Sequence, residues 1–173
     1  MSEEEPESEP AYFRETEPSG LLAEFLAVWR TVKGERPMPL RSDIKLERIG
    51  ARLAPHVLIM EVEPEAETGR HRFRITLAGE AARALFTNGT PGAYLDEMET
   101  LRTHPLRDQI LATFERVVET KTPQAYAGEF LGRDFRHYRY ERIYCPVSDD
   151  GTRVTHLLGA VVVPGAASRA GQR

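Results

Sequence analysis

Two stretches of this chain alternate apolar and polar residues with a period of two, and that alternation excludes an all-helical fold. In His71-Arg72-Phe73-Arg74-Ile75-Thr76-Leu77, Phe73, Ile75 and Leu77 share one side and Arg72, Arg74 and Thr76 the other. Residues 136–147 repeat the pattern, with Tyr138, Tyr140 and Tyr144 at even spacing. Elsewhere the period is three to four. Leu21, Leu22, Phe25, Val28, Trp29 and Val32 stripe one helix from Ser19, a candidate cap, to about Lys33. Leu106, Ile110, Phe114, Val117 and Val118 stripe another, starting at Pro105 and ending near Thr120 before Pro123.

The remaining elements fall between these. Gly34, Pro37 and Pro39 stop the first helix. A second, shorter helix is expected over 42–53, carrying Ile44, Leu46, Ile49 and Leu53 ahead of Pro55. Val57 to Val62 is a strand, and the turn at 65–70 with Gly69 joins it to 71–77 as a hairpin. A short helix fits 80–86, Asn88-Gly89-Thr90-Pro91-Gly92 breaks the chain, and 94–103 is either a short helix or a loop. Three strands follow: Gln124–Leu131, Arg136–Val147 and Val154–Val163, the last two joined by the turn Ser148-Asp149-Asp150-Gly151.

Charge is unevenly placed. Residues 1–18 carry seven acids against Arg14, with Ser and Pro between them. They offer too few apolar groups to offset ordering entropy, so the segment is expected to be disordered. The remaining residues hold twenty acids and twenty-two bases, a balance that leaves no electrostatic footprint for nucleic acid. Residues 164–173 read as a flexible tail. No apolar run reaches the roughly 20 residues that span a bilayer, and the N-terminus is acidic where a signal peptide is basic, so a soluble cytoplasmic protein is expected. The lone Cys145 excludes an internal disulfide.

Five strands with helices gathered between the second and third describe an α+β domain over 19–163: an antiparallel sheet with helices on one face and an amphipathic helix in front.

That element order resembles a PAS domain. The residues that narrow the resemblance are Trp29-Arg30, Pro37, Arg41-Ser42-Asp43-Ile44 and Leu53-Ala54-Pro55. They continue with Phe73-Arg74-Ile75-Thr76-Leu77-Ala78-Gly79, Leu85-Phe86, Tyr144-Cys145-Pro146-Val147-Ser148-Asp149-Asp150-Gly151 and Leu157-Leu158-Gly159. Together they are similar to a family of stand-alone PAS-like proteins found mostly in alphaproteobacteria and carried as a domain of unknown function. The chain departs from that pattern after Phe86, where Thr87-Asn88-Gly89-Thr90-Pro91-Gly92 stands in place of a Gly and an acidic residue leading to another Gly. The resemblance implies a PAS core over 57–163 behind a helical extension over 19–56. The stripe of the leading helix suits either packing on its own sheet or pairing with a second copy; the resemblance implies the latter, a homodimer joined by Leu22, Phe25 and Trp29.

No catalytic constellation is written in the chain. His56, His71, His104, His137 and His156 form no HxH or HExxH spacing, and residues 105–120, where a haem-binding relative needs an axial ligand, hold no His. Cys145 sits on a strand beside Pro146, away from the helical position of a flavin-adduct cysteine. No GxSxG elbow or phosphate loop is present. Arg41 with Asp43 makes a possible pair, but Ser42 or Asp43 as a helix cap is simpler. Alternation places Tyr138, Tyr140, Arg142 and Tyr144 on one face. One reading is a tyrosine-lined pocket with Arg142 orienting an acidic ligand. The other is cross-strand aromatic packing with ion pairs on a solvated face, which aromatic strand residues more often do.

The expected function is sensing or regulation, with no catalysis, no metal and no cofactor assigned. A small apolar or aromatic ligand, or a partner protein, would act on the sheet and its helices, and the signal would pass by contact. Pocket candidates are Met60, Phe73, Ile75, Phe86, Ile110, Phe114, Tyr140, Arg142 and Tyr144, all of them also ordinary core positions. The competing readings are a small-molecule isomerase or hydrolase using the same cavity, which needs an inward acid or His, and a ligand-free interaction module.

Overall fold

A computed structural model describes residues 13–85, 91–131 and 136–164. Six strands form one antiparallel sheet: β1 (Phe13–Glu15), β2 (Val57–Pro64), β3 (His71–Ala78), β4 (Gln124–Leu131), β5 (His137–Val147) and β6 (His156–Val162). Their spatial order is β1-β4-β5-β6-β2-β3. The crossover from β3 to β4 carries α3 (Glu80–Leu85), α4 (Glu99–Arg102) and α5 (Arg107–Thr120). Ahead of the core lie α1 (Leu21–Lys33) and α2 (Leu46–Ile49).

The strands hold two helical layers apart. In β5, Tyr140, Arg142 and Tyr144 face α5, and the Tyr144 ring meets the α5 residue Phe114 at 4.7 Å. Successive strand residues point to opposite faces, so Ile143 and Cys145 lie on the other side. There α1 crosses the sheet, and Trp29 Nε1 donates to the Pro146 carbonyl at 3.0 Å. Leu22, Phe25 and Trp29, expected at a dimer contact, are almost wholly buried within their own chain. Their stripe covers the outer face of β5 and β6, so these three side chains are part of the chain's own core.

Two expectations are corrected. Residues 13–15, placed in the disordered tail, form the sixth strand. Phe13, Arg14 and Glu15 pair with Gly128, Ala127 and Tyr126, and Phe13 stacks on Tyr126 at 5.1 Å. That pairing is wholly non-local, and no pattern within three residues could announce it. The helix expected over 42–53 is instead a 3-10 turn at Arg41–Asp43, the single turn of α2 and another 3-10 turn at Ala54–His56. Gly50 ends α2 with φ of 89°, a conformation that continues no right-handed helix. Ile44, Ile49 and Leu53 are nonetheless buried, as their spacing requires.

The other elements match their periodicity. Ser19 begins α1 through its carbonyl, which accepts from Leu22 N at 3.1 Å, and not through its hydroxyl. The ambiguous stretch 94–103 is a 3-10 turn at Leu95–Glu97 followed by α4. Between β5 and β6 the turn is built around Asp150, whose Oδ1 accepts from Thr152 N, Arg153 N and the Ser148 hydroxyl. Those bonds hold its carboxyl well below the usual carboxylate range.

Candidate functional site

On the α5 side of the sheet the core is incomplete. A cavity of about 70 Å³ lies between the crossover helices and β4–β6. Its helical wall is Met98, Leu101, His104, Ile110 and Phe114, and its sheet wall is Phe130, Tyr140, Arg142, Tyr144 and Val161.

Arg142 is the unusual member. It is 5% exposed and sits on a central strand. Its guanidinium lies 4.4 Å from the Phe114 ring, 5.3 Å from Tyr144 and 5.4 Å from both Tyr126 and Phe13. Nη2 donates to Thr113 Oγ1 at 2.7 Å, and the Thr113 hydroxyl in turn donates to the Ile110 carbonyl at 2.6 Å. Its charge favours the ionised form of the neighbouring Tyr140 phenol. Among the described residues no carboxylate pairs with it. Burying an ion away from water costs several kcal/mol after relaxation, and each favourable cation–π contact returns about 0.5–2 kcal/mol. Four rings and a hydroxyl therefore offset the desolvation without neutralising the charge.

The surrounding groups add no charge. Burial pushes the Tyr144 phenol up to about 12 and raises that of Tyr140, with Arg142 opposing both shifts, so the two are neutral at physiological pH. Glu129, on the cavity wall, is engaged by Arg139 at 3.3 Å. His104 is held at both ring nitrogens: Nε2 donates to the Glu129 carbonyl at 2.9 Å and Nδ1 accepts from Leu106 N at 3.0 Å.

Two glycines make room for the tyrosines. Gly128 is opposite Tyr140 and Gly159 opposite Tyr144. A Cβ on Gly128 would stand 2.6 Å from the Tyr140 hydroxyl, and one on Gly159 2.2 Å from Tyr144 Cε1. Both rings therefore lie across the neighbouring strand, beside Arg142.

The structure gathers Ile110, Phe114, Tyr140, Arg142 and Tyr144 of the expected pocket residues around this cavity. Met60, Phe73 and Ile75 face the same layer but are fully packed core, with Phe73 against Phe114 at 5.6 Å. Phe86 lies outside the described residues. Tyr138 stacks on Phe130 at 5.4 Å. The expectation of a solvated face does not hold for Arg142, because α5 covers that part of β5. Sequence reading missed Met98 and Leu101, which come from the stretch with no clear period, and Thr113, a polar residue inside an apolar stripe. The glycines could be found only once the strand register was known.

Cys145 lies on the opposite face, fully buried, and burial drives its thiol far above the ordinary value. Arg41 and Asp43 are not paired with each other. Asp43 takes Arg36 at 2.9 Å, and Arg41 donates to the Ile44 carbonyl at 3.3 Å. A wider groove of about 600 Å³ runs between the β2–β3 turn and α5. Much of its charge is internally matched: Arg72 with Asp96 at 3.0 Å and His71 with Glu115 at 2.8 Å. No His, Cys, Asp and Glu group suited to a metal ion occurs among the described residues, and no helix among them is long and apolar enough to cross a membrane.

Among solved structures, the chain is similar to an RNA-binding light-oxygen-voltage receptor, with 11% identity over 90% of this chain and 39% of that one, at a TM-score of 0.50. It is also similar to the Rhodobacter sphaeroides LOV protein, with 13% identity over 66% of this chain and 62% of that one, at 0.46. The PAS domain of a protein from Colwellia psychrerythraea is 13% identical over 69% of this chain and 97% of that one, at 0.44. The chain thus spans less than two thirds of each of the first two. No curated protein matches it. The family model for the PAS domain matches residues 18–162, nearly the whole described fold, and the chain belongs to the PAS domain family.

Proposed function

We propose that this chain is a sensory module in which a small molecule occupies the cavity beneath α5 and a partner protein reads the result by contact. The observation that supports it is the cavity itself. It is lined by side chains of both the crossover helices and the central strands, so an occupant touches Phe114 of α5 and Tyr140 and Tyr144 of β5 together. A ligand shifts an equilibrium only by its differential affinity for the two states. An occupant that bridges helix and sheet has that differential if α5 moves relative to β5. The narrower kinship with stand-alone alphaproteobacterial PAS proteins rests on the motif residues quoted above.

Binding is favoured over catalysis by the cavity's chemistry. The acid on its wall is engaged with Arg139, its His is fixed at both nitrogens, and its phenols are held neutral. Native mass spectrometry of the protein, together with amide chemical shifts during titration with ethanol, acetone and short carboxylic acids, tests the proposal. The expected result is saturable binding with shifts centred on residues 107–120 and 137–147. A bare protein mass together with an unmoved spectrum for every compound overturns it.

A further inference from the structure

Resting on that reading of the cavity, we propose that its ligand is a small monocarboxylate whose anionic end pairs with Arg142. A buried guanidinium needs acceptors for its N–H groups. It carries five N–H donors in a planar fork. Thr113 is the hydrogen-bond partner found for it among the described residues, and it is neutral. Four aromatic rings satisfy its faces, yet ring faces take no in-plane N–H bond. A Met or Leu at this strand position would fill the same space without the desolvation penalty. The unspent property of the site is thus a positive charge with donors in reserve, beside a cavity. A carboxylate matches such a fork with two parallel bonds.

Size and polarity narrow the class. An apolar cavity of about 150 Å³ admits benzene, or about 25 Å³ per heavy atom. On that scale 70 Å³ holds about three heavy atoms. With its two oxygens on the Arg142 fork a carboxylate nearly fills that space, which suits acetate, with a single methyl beyond the carboxyl group. The alkyl end then meets Met98, Leu101 and Ile110, which offer it no polar group in their side chains. A dicarboxylate finds no second partner, because Arg142 is the one Lys or Arg on the wall among the described residues.

Calorimetric titration of the whole chain with acetate, propionate and butyrate, each set against its uncharged amide, tests this. Acetate is expected to bind at least tenfold more tightly than acetamide, with propionate weaker than acetate and butyrate weaker still. Arg142→Met should abolish that preference. If Arg142→Met does not fold, Thr113→Val, which removes the hydroxyl orienting the guanidinium, should reduce acetate affinity severalfold and lower the acid-over-amide preference. Equal binding of acid and amide overturns the carboxylate assignment but leaves the cavity a binding site. So does an undiminished preference in the variant. No binding of any of these acids or amides overturns the carboxylate assignment, and the cavity reading then stands or falls on ethanol and acetone.

Discussion

Gly159 and Tyr144 are partners in the β5–β6 ladder, and the tyrosine ring occupies the space that a side chain on Gly159 would fill. The ring reaches Phe114 and flanks Arg142 only because the opposite position is empty. Gly159→Ala should therefore displace Tyr144 and open the Phe114 contact. Overpacking of this kind costs about 1–3 kcal/mol. Chemical denaturation reads the loss, and the near-ultraviolet circular dichroism of the aromatic cluster should change with it. An alanine variant of full stability and unchanged spectrum contradicts this account.

The α1 stripe leads to a second expectation. Phe25 is packed on its own sheet, so Phe25→Ala should cost about 3–5 kcal/mol through the cavity it leaves. Because the contact lies within one chain, the loss should be the same across about a hundredfold range of protein concentration. A loss that shrinks as protein is concentrated would restore the two-chain reading of this helix. Trp29→Phe should cost about 1–3 kcal/mol, since it leaves the buried Pro146 carbonyl without its donor.

Cys145 should be inert in the native protein. Its thiol is fully buried and held protonated, and the thiolate is the reactive species. Ellman's reagent is expected to label it only at the rate of unfolding, with full labelling in denaturant. Stoichiometric reaction within seconds in native buffer contradicts this placement.

Asp150 gives the β5–β6 turn a pH dependence. Its folded-state pKa lies below the unfolded value near 3.9, so its contribution is fully present above that value and fades as the carboxyl protonates in acid. Asp150→Ala should lower the melting temperature at neutral pH, and the gap from the parent protein should close as pH falls below about 4. A gap that stays constant down to pH about 2 would show that the turn's acceptor bonds do not depend on ionisation.

Several of these features were legible before any coordinates. Alternation alone put Tyr140, Arg142 and Tyr144 on one face of one strand, and the heptad-like spacing of Leu22, Phe25 and Trp29 marked a buried stripe. What alternation could not say is which face of β5 would be covered. That depends on where α5 crosses, which the crossover geometry sets over a span of more than twenty residues. The same limit explains Thr113: within its helix it reads as a polar interruption, and only its 2.7 Å contact with a residue 29 positions away gives it a role. The acid-rich context of Phe13 hid a strand because composition averages over many residues, while three-residue pairing depends on the free edge of β4. Gly50 was visible as a glycine, but its positive φ, which splits the expected helix, was not.

Among the described residues, Phe13 is the one ring around the guanidinium that is borne by an outermost, three-residue strand, bonded to the sheet along a single edge. The other three rings belong to α5 and to interior strands. The enclosure therefore has one detachable panel. Peeling it back would hydrate the arginine and weaken any anion it holds, while the five remaining strands stay zipped. The N-terminal segment is in this way mechanically continuous with the charge at the heart of the domain.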